Sequence, residues 1–311
     1  VVTAVAVAPG ASLDVPFLLA WHYPNKYNAG GTWMGCHYAT RWPDARAVLK
    51  ESAANLAEWR ARTDLFRRTI YRSTLPAWLL DCLTANAAII RHIGVVFRIA
   101  NGDVYGWEGS NGCCQPTCTH VWGYEQTLSR LFPELEREMR RIDFQHQQRT
   151  DGGVNNRTDV PSPPRPTGEQ PFADGHASCI LKAYREALNA PDESLFRTYW
   201  PHIRRAVDYL IARDGKSHGG EPAGYLEDDQ WNTYDQALHG VTTFISGYYL
   251  AACGPGRNGR ATSGTPPVAT GSTRCSSGAG TSWLNSVGTA SISVSTCPAM
   301  SRCPARLVPA A

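Results

Sequence analysis

At 311 residues, with 42% hydrophobic and 10% aromatic residues, the chain is long enough for one large domain or two average ones and can bury a sizeable core. The formal charge is +3, but residues 254–311 hold five arginines and no acid, and removing these leaves −2 for residues 1–253. That distribution excludes a broad basic surface for nucleic acid or anionic lipid, and no run of about 18 apolar residues offers a membrane span.

The chain opens on Val1 with "VVTAVAVAPGASLDVPFLLAWHYPN", whose alternation of apolar and polar residues differs from the basic start and apolar block of a signal peptide. It predicts strands near 3–8 and 13–21 joined at "APG", read as the end of a β-domain over residues 1–40, so the chain is expected to begin inside a longer protein. Ten cysteines at irregular spacing read as thiols of a reducing compartment, which points to the cytoplasm. From about Pro43 to Arg72 the period changes, with Val48, Leu49, Leu56, Trp59, Leu65 and Ile70 at helical spacing. A further helix is predicted in "LPAWLLDCLTANAAIIRHI", where Pro76 suits a first turn. Two short β runs in "VVFRIANGDVYGWEG" flank Asn101-Gly102, a hairpin turn signal, and the hairpin delivers Glu108 at its far end.

Beyond the cysteine-rich "SNGCCQPTCTHVW", Val121, Leu128, Leu131, Leu135 and Met139 mark a helix pair broken at Pro133. A polar, Pro-rich connection then leads to helices predicted at about 176–190, 194–213 and 237–252. Long helices joined by elaborate aromatic-rich loops predict a mainly α fold over 41–253, a helical toroid whose loops build a site at one end. Residues 254–311 contain no Asp, Glu, Lys, His, Phe or Tyr and are dominated by Gly, Ser, Thr, Ala, Pro and Arg. Composition alone gives a low-complexity tail. The sharper reading is translation of a GC-rich gene out of frame, since a shifted frame across Val287–Ser293 is compatible with ordinary enzyme sequence.

Three sets of residues could carry chemistry. Cys113, Cys114, Cys118 and His120 suggest zinc, but the Cys114-x3-Cys118 spacing has no second pair nearby and adjacent cysteines cannot easily face one ion. Small thiols shaping a tight loop are the plainer reading, and no metal or other cofactor is expected. Glu108, between Trp107 and Gly109, is a carboxylate held at the end of a strand. In "GYLEDDQWNTYDQALHG", Glu227, Asp228, Asp229 and Asp235 stand among Tyr225, Trp231 and Tyr234. Acids beside large aromatic rings suit sugar chemistry, because rings stack on pyranose faces and dry surroundings raise a carboxyl pKa enough for proton donation. A calcium loop for Glu227–Asp229 and a helix N-cap for Asp235 are the structural alternatives.

The motifs "YGWEG", "CTHVWGYEQTLSRLFPELEREMR", "ILKAYRE", "NTYDQALHG" and "YYLAA" occur in an order and spacing that resembles glycoside hydrolase family 116, the family of bile-acid β-glucosidase, or non-lysosomal glucosylceramidase, and its bacterial relatives. The resemblance covers residues 1 to about 252. It implies the last strands of a β-sandwich followed by the first part of an (α/α)6 barrel. It also implies retaining hydrolysis of a β-linked glycoside, most simply a glucoside, with Glu108 as nucleophile, Asp235 as general acid/base and Thr233 beside the acid. Thr119 and His120 stand where animal members carry an acidic residue, so one sugar-hydroxyl contact differs. His120, Asp174 and His176 could bond hydroxyls, with a structural histidine or a helix cap as the alternative, and Trp231 offers a ring. The family's later sugar-binding Glu and Arg lie beyond residue 253, so the 311-residue chain as written is expected to be inactive. Competing expectations are a non-catalytic carbohydrate-binding or inactive remnant, and a zinc protein using the Cys113–His120 loop.

Overall fold

The computed structural model describes residues 4–90, 95–107, 114–123 and 125–262. Among them the chain is mainly helical, with seven α-helices and two small antiparallel hairpins. The first helix, α1 (Ala45–Tyr71), starts at Asp44, whose carboxylate accepts the Ala47 N–H at 2.7 Å as an N-cap. The second, α2 (Ala77–Ile90), follows Pro76, whose missing N–H costs nothing at a helix start. The strands β1 (Val96–Arg98) and β2 (Val104–Gly106) pair Val96 with Gly106 and Arg98 with Val104, and Gly102 turns the chain at φ 100°. Next come α3 (Leu128–Leu131) and α4 (Pro133–Gln145), separated by Pro133 as expected. The remaining helices are α5 (Ala173–Asn189), α6 (Ser194–Ser217) and α7 (Thr243–Thr262), with the strands β3 (Gln230–Trp231) and β4 (Ala237–Leu238) between the last two.

The main core lies where α5, α6 and α7 meet. Ala173, Ala177, Ile180 and Ala183 recur at three- and four-residue steps on α5 and pack with Ile203, Ala206, Val207 and Leu210 of α6 and with Ile245, Tyr249 and Ala252 of α7. Small residues on α5 allow close approach from both sides, so this helix is the least exposed. A second cluster joins Val104 of the hairpin to Cys118, Trp122, Leu128 and Met139. A third joins Phe97, Ile99 and Tyr105 to Met34 and Ile142. Between α4 and α5 runs a buried ionic network in which Arg140 faces Glu136, Asp143 and Glu186, while Arg185 reaches Glu136 at 2.7 Å. Burial holds the Glu186 carboxyl well above its ordinary pKa and brings the Lys182 ammonium down to about 8.

Two expectations change. The strands predicted near 3–8 and 13–21 are not strands among the described residues: residues 4–21 form no ladder, and Phe17 and Leu19 are exposed. Alternation marks a chain able to pair, but a strand exists only against a partner edge. The helix predicted from 237 begins at Thr243, because Ala237 and Leu238 are drawn into β4 opposite β3. Its far end runs to Thr262, past the change of composition at residue 254; residues 263–311 lie outside the described residues. None of the described helices is long and apolar enough to cross a membrane.

Candidate functional site

The β3–β4 hairpin is built around two buried amides. Gln230 donates from Nε2 to the carbonyls of Leu226 (3.0 Å), Asp228 (3.1 Å) and Gly240 (2.8 Å), closing the loop on itself. Asn232 donates to the carbonyls of Gln230 (2.8 Å) and Gln236 (3.0 Å), and its Oδ1 accepts the Tyr234 N–H at 2.8 Å. Residues 232–236 therefore turn rigidly, and Asp235 takes the left-handed conformation at φ 56° that Asp tolerates better than most residues. It is no helix cap: its N–H bonds to the Asn232 carbonyl at 3.0 Å, its side chain is 81% exposed, and α7 starts eight positions later at Thr243.

Asp174, in the first turn of α5, ties this turn to the core. Its Oδ2 accepts the backbone N–H of Thr233 at 3.0 Å, across 59 residues of sequence, and its Oδ1 accepts that of Gly175 at 2.8 Å. Burial raises the Asp174 carboxyl pKa, and the two N–H donors oppose that rise. Its place in the structure is thus that of a bracket for the turn that presents Asp235.

The segment 117–123 forms the facing wall. Its position follows from Gly175, where an added Cβ would sit 2.4 Å from the Thr119 hydroxyl and 2.6 Å from the His120 N–H nitrogen, so only glycine lets α5 come this close. His120 is buried, its ring lies against Phe172 at 4.3 Å between centroids, and its Nε2 is 3.8 Å from Asp235 Oδ1 and 3.0 Å from Cys118 Sγ. Phe172 meets Trp231 on its way to the hairpin, at 5.8 Å. The Thr119 hydroxyl is buried with no hydrogen-bond partner among the described residues.

The same segment holds the end of the β1–β2 hairpin. Thr117 Oγ1 accepts the Gly106 N–H at 3.2 Å, and the Trp122 indole donates to the Trp107 carbonyl at 3.1 Å. Trp107 is the residue before Glu108, which itself lies outside the described residues, as does Cys113.

The predicted residues therefore divide. Thr119, His120, Asp174, Trp231, Thr233 and Asp235 gather around the N-terminal end of α5. His176 does not belong with them: it is fully buried, its Nδ1 accepts the Val154 N–H at 3.0 Å and its Nε2 donates to the Ala206 carbonyl at 2.9 Å, leaving neither ring nitrogen for a ligand. The acids Glu227, Asp228 and Asp229 diverge to separate basic partners, His218, Arg213 and His239 respectively. In the cysteine loop, Cys114 is exposed while Cys118 is buried beside His120, and no group of three or more potential ligands assembles among the described residues. Phe172 and Asn232 are contributors that sequence reasoning missed. Asn232 had a signal, since an Asn two residues before another turn N–H favours an Asx turn; Phe172 had none. Compared with known proteins, the chain matches no family model and no curated protein.

Proposed function

We propose that the chain derives from a retaining β-glycoside hydrolase in which Glu108 is the nucleophile and Asp235 the general acid/base. The motif series read from the sequence supports this. The single observation that carries it is the convergence of an exposed carboxylate, Asp235, with a buried imidazole, His120, and the Phe172–Trp231 rings, on the segment that also anchors Trp107, the neighbour of Glu108.

In this reading Asp235 protonates the glycosidic oxygen while Glu108 attacks the anomeric carbon. The leaving alcohol departs with that proton, and a covalent glycosyl-enzyme remains. Asp235, now ionised, takes a proton from water as it attacks the anomeric carbon, which releases the sugar and frees Glu108. Retention requires the two carboxyls about 5–5.5 Å apart. Asp174 holds the turn through Thr233 so that Asp235 keeps its direction, and His120 lies on the inner side of the Asp235 carboxylate. The ring of Trp231 offers a face for the pyranose.

The test is hydrolysis of an aryl β-glucoside by a chain whose reading frame is restored after codon 253. Glu108→Gln and Asp235→Asn are each expected to lower turnover at least ~10²- to 10⁴-fold, the usual weight of a positioned acid or nucleophile. Near-normal turnover in either variant would remove that residue from its role.

A further inference from the structure

Residues 24–36 fold back beside the β1–β2 hairpin and leave a cavity that the glycosidase reading does not use. The Lys26 carbonyl accepts the N–H of Met34 at 2.7 Å and that of Gly35 at 3.1 Å, and the Met34 carbonyl accepts the Ala100 N–H at 3.0 Å, just past β1. Asn28 ties the same loop to the opposite wall: its Nδ2 donates to the Val160 carbonyl at 2.9 Å and its Oδ1 accepts the Thr32 N–H at 2.8 Å. Between these ties lies a cavity of about 790 Å³, walled largely by Tyr27, Phe97, Trp107, Pro116, Pro161 and Pro163. That is room for a small organic molecule against rings and prolines.

One cation stands in this apolar wall. Lys26 lines the cavity with its Nζ 3.7 Å from the Phe97 ring centroid and 5.6 Å from that of Trp107. Lys26 is half-buried, but its Nζ keeps accessible surface, and among the described residues it makes no hydrogen bond and no ion pair. The neighbouring Cys36 favours its charge, yet burial outweighs that and lowers the ammonium pKa. The ring faces replace part of the lost hydration and leave N–H donors unused. A half-buried charge without a counter-ion is costly, and an anion that reaches it removes that cost through charge-assisted hydrogen bonds. The charge balance limits which anion. Asp159, the one carboxylate among the described residues of the lining, is exposed and forms no ion pair among them. Its negative charge opposes an ion of two or three charges, such as phosphate, more than a single carboxylate. A monocarboxylate with a flat apolar body uses the ammonium and the rings together.

We infer that this cavity binds a small aromatic monocarboxylate, held by Lys26 at its charged end and by the rings and prolines along its body. The assignment does not rest on the glycosidase reading. The probe is phenylpropionate, titrated calorimetrically into the 311-residue chain, with phenylpropanol, acetate and inorganic phosphate as separate titrants. Saturable phenylpropionate binding is expected, with the alcohol, acetate and phosphate each at least ~10-fold weaker. Lys26→Met keeps an unbranched apolar stem and removes the charge, so it is expected to weaken phenylpropionate at least ~10-fold and to leave phenylpropanol within ~2-fold. Lys26→Arg, which restores a cation, is expected to hold phenylpropionate within ~3-fold of the parent chain, a rescue that separates lost charge from lost fold. Absence of phenylpropionate binding, equal binding of the alcohol or of phosphate, or binding that Lys26→Met leaves unchanged would each overturn the assignment. Aryl β-glucoside hydrolysis by the frame-restored chain is read independently, so failure of either test leaves the other proposal untouched.

Discussion

His176 makes the stability of this fold pH-dependent in a window that can be stated in advance. The imidazole is fully buried, accepts one backbone N–H and donates to one carbonyl, so it is held neutral, and burial brings its pKa from 6.5 down to about 4. A base with a lower pKa folded than unfolded binds its proton more readily in the unfolded chain. Its contribution to stability is therefore complete above about pH 6.5 and drains away as pH falls toward 4. Within that window one excess proton costs the native state about 1.4 kcal/mol per pH unit, so between pH 7 and pH 4.5 this residue alone withdraws about 2 kcal/mol. His176→Gln removes the titration while keeping one donor and one acceptor. Urea unfolding followed by tryptophan fluorescence, at pH 7 and at pH 4.5, gives the comparison. At pH 7 the variant is expected to be less stable by about 1–3 kcal/mol, because the shorter amide cannot serve both backbone groups. At pH 4.5 that gap narrows by about 2 kcal/mol, other titrating groups being common to both proteins. A gap of the same size at the two pH values would refute the buried neutral imidazole.

Two further substitutions probe the supports of the site. An added Cβ at Gly106 meets the Trp122 ring at 2.2 Å, so Gly106→Ala must displace the indole that holds the Trp107 carbonyl. A loss of about 1–3 kcal/mol or more is expected in denaturant unfolding, and an unchanged midpoint would show that the indole moves freely. Arg140→Met leaves Glu136, Asp143 and Glu186 buried without their shared cation, and a cost of about 3–5 kcal/mol is expected. The measurement is the same unfolding curve, and a cost under about 1 kcal/mol would mean that the three carboxyls find other compensation.

Local pattern was enough for much of the helical frame. The three- and four-residue recurrence in α5 and α6 reports which face each helix buries, because one turn of helix sets that spacing whatever it packs against. Asn101-Gly102 likewise placed the first hairpin, since the backbone conformation of a tight turn is a property of the turn residues themselves. The motif residues Thr119, His120, Trp231, Thr233 and Asp235 could be picked out as chemically suited before any contact was known. Their arrangement could not. Asp174 meets Thr233 across 59 residues of chain, and no local period records a hydrogen bond between distant segments. His176 looks as capable as His120 in the sequence, yet one ring is spent on two backbone groups and the other lies 3.8 Å from Asp235. Residues 237–238 have helical neighbours and become a strand, while residues 4–21 alternate like strands and pair with nothing described. In each case the deciding quantity is the identity of the hydrogen-bonding or packing partner, which exists only once the chain has folded.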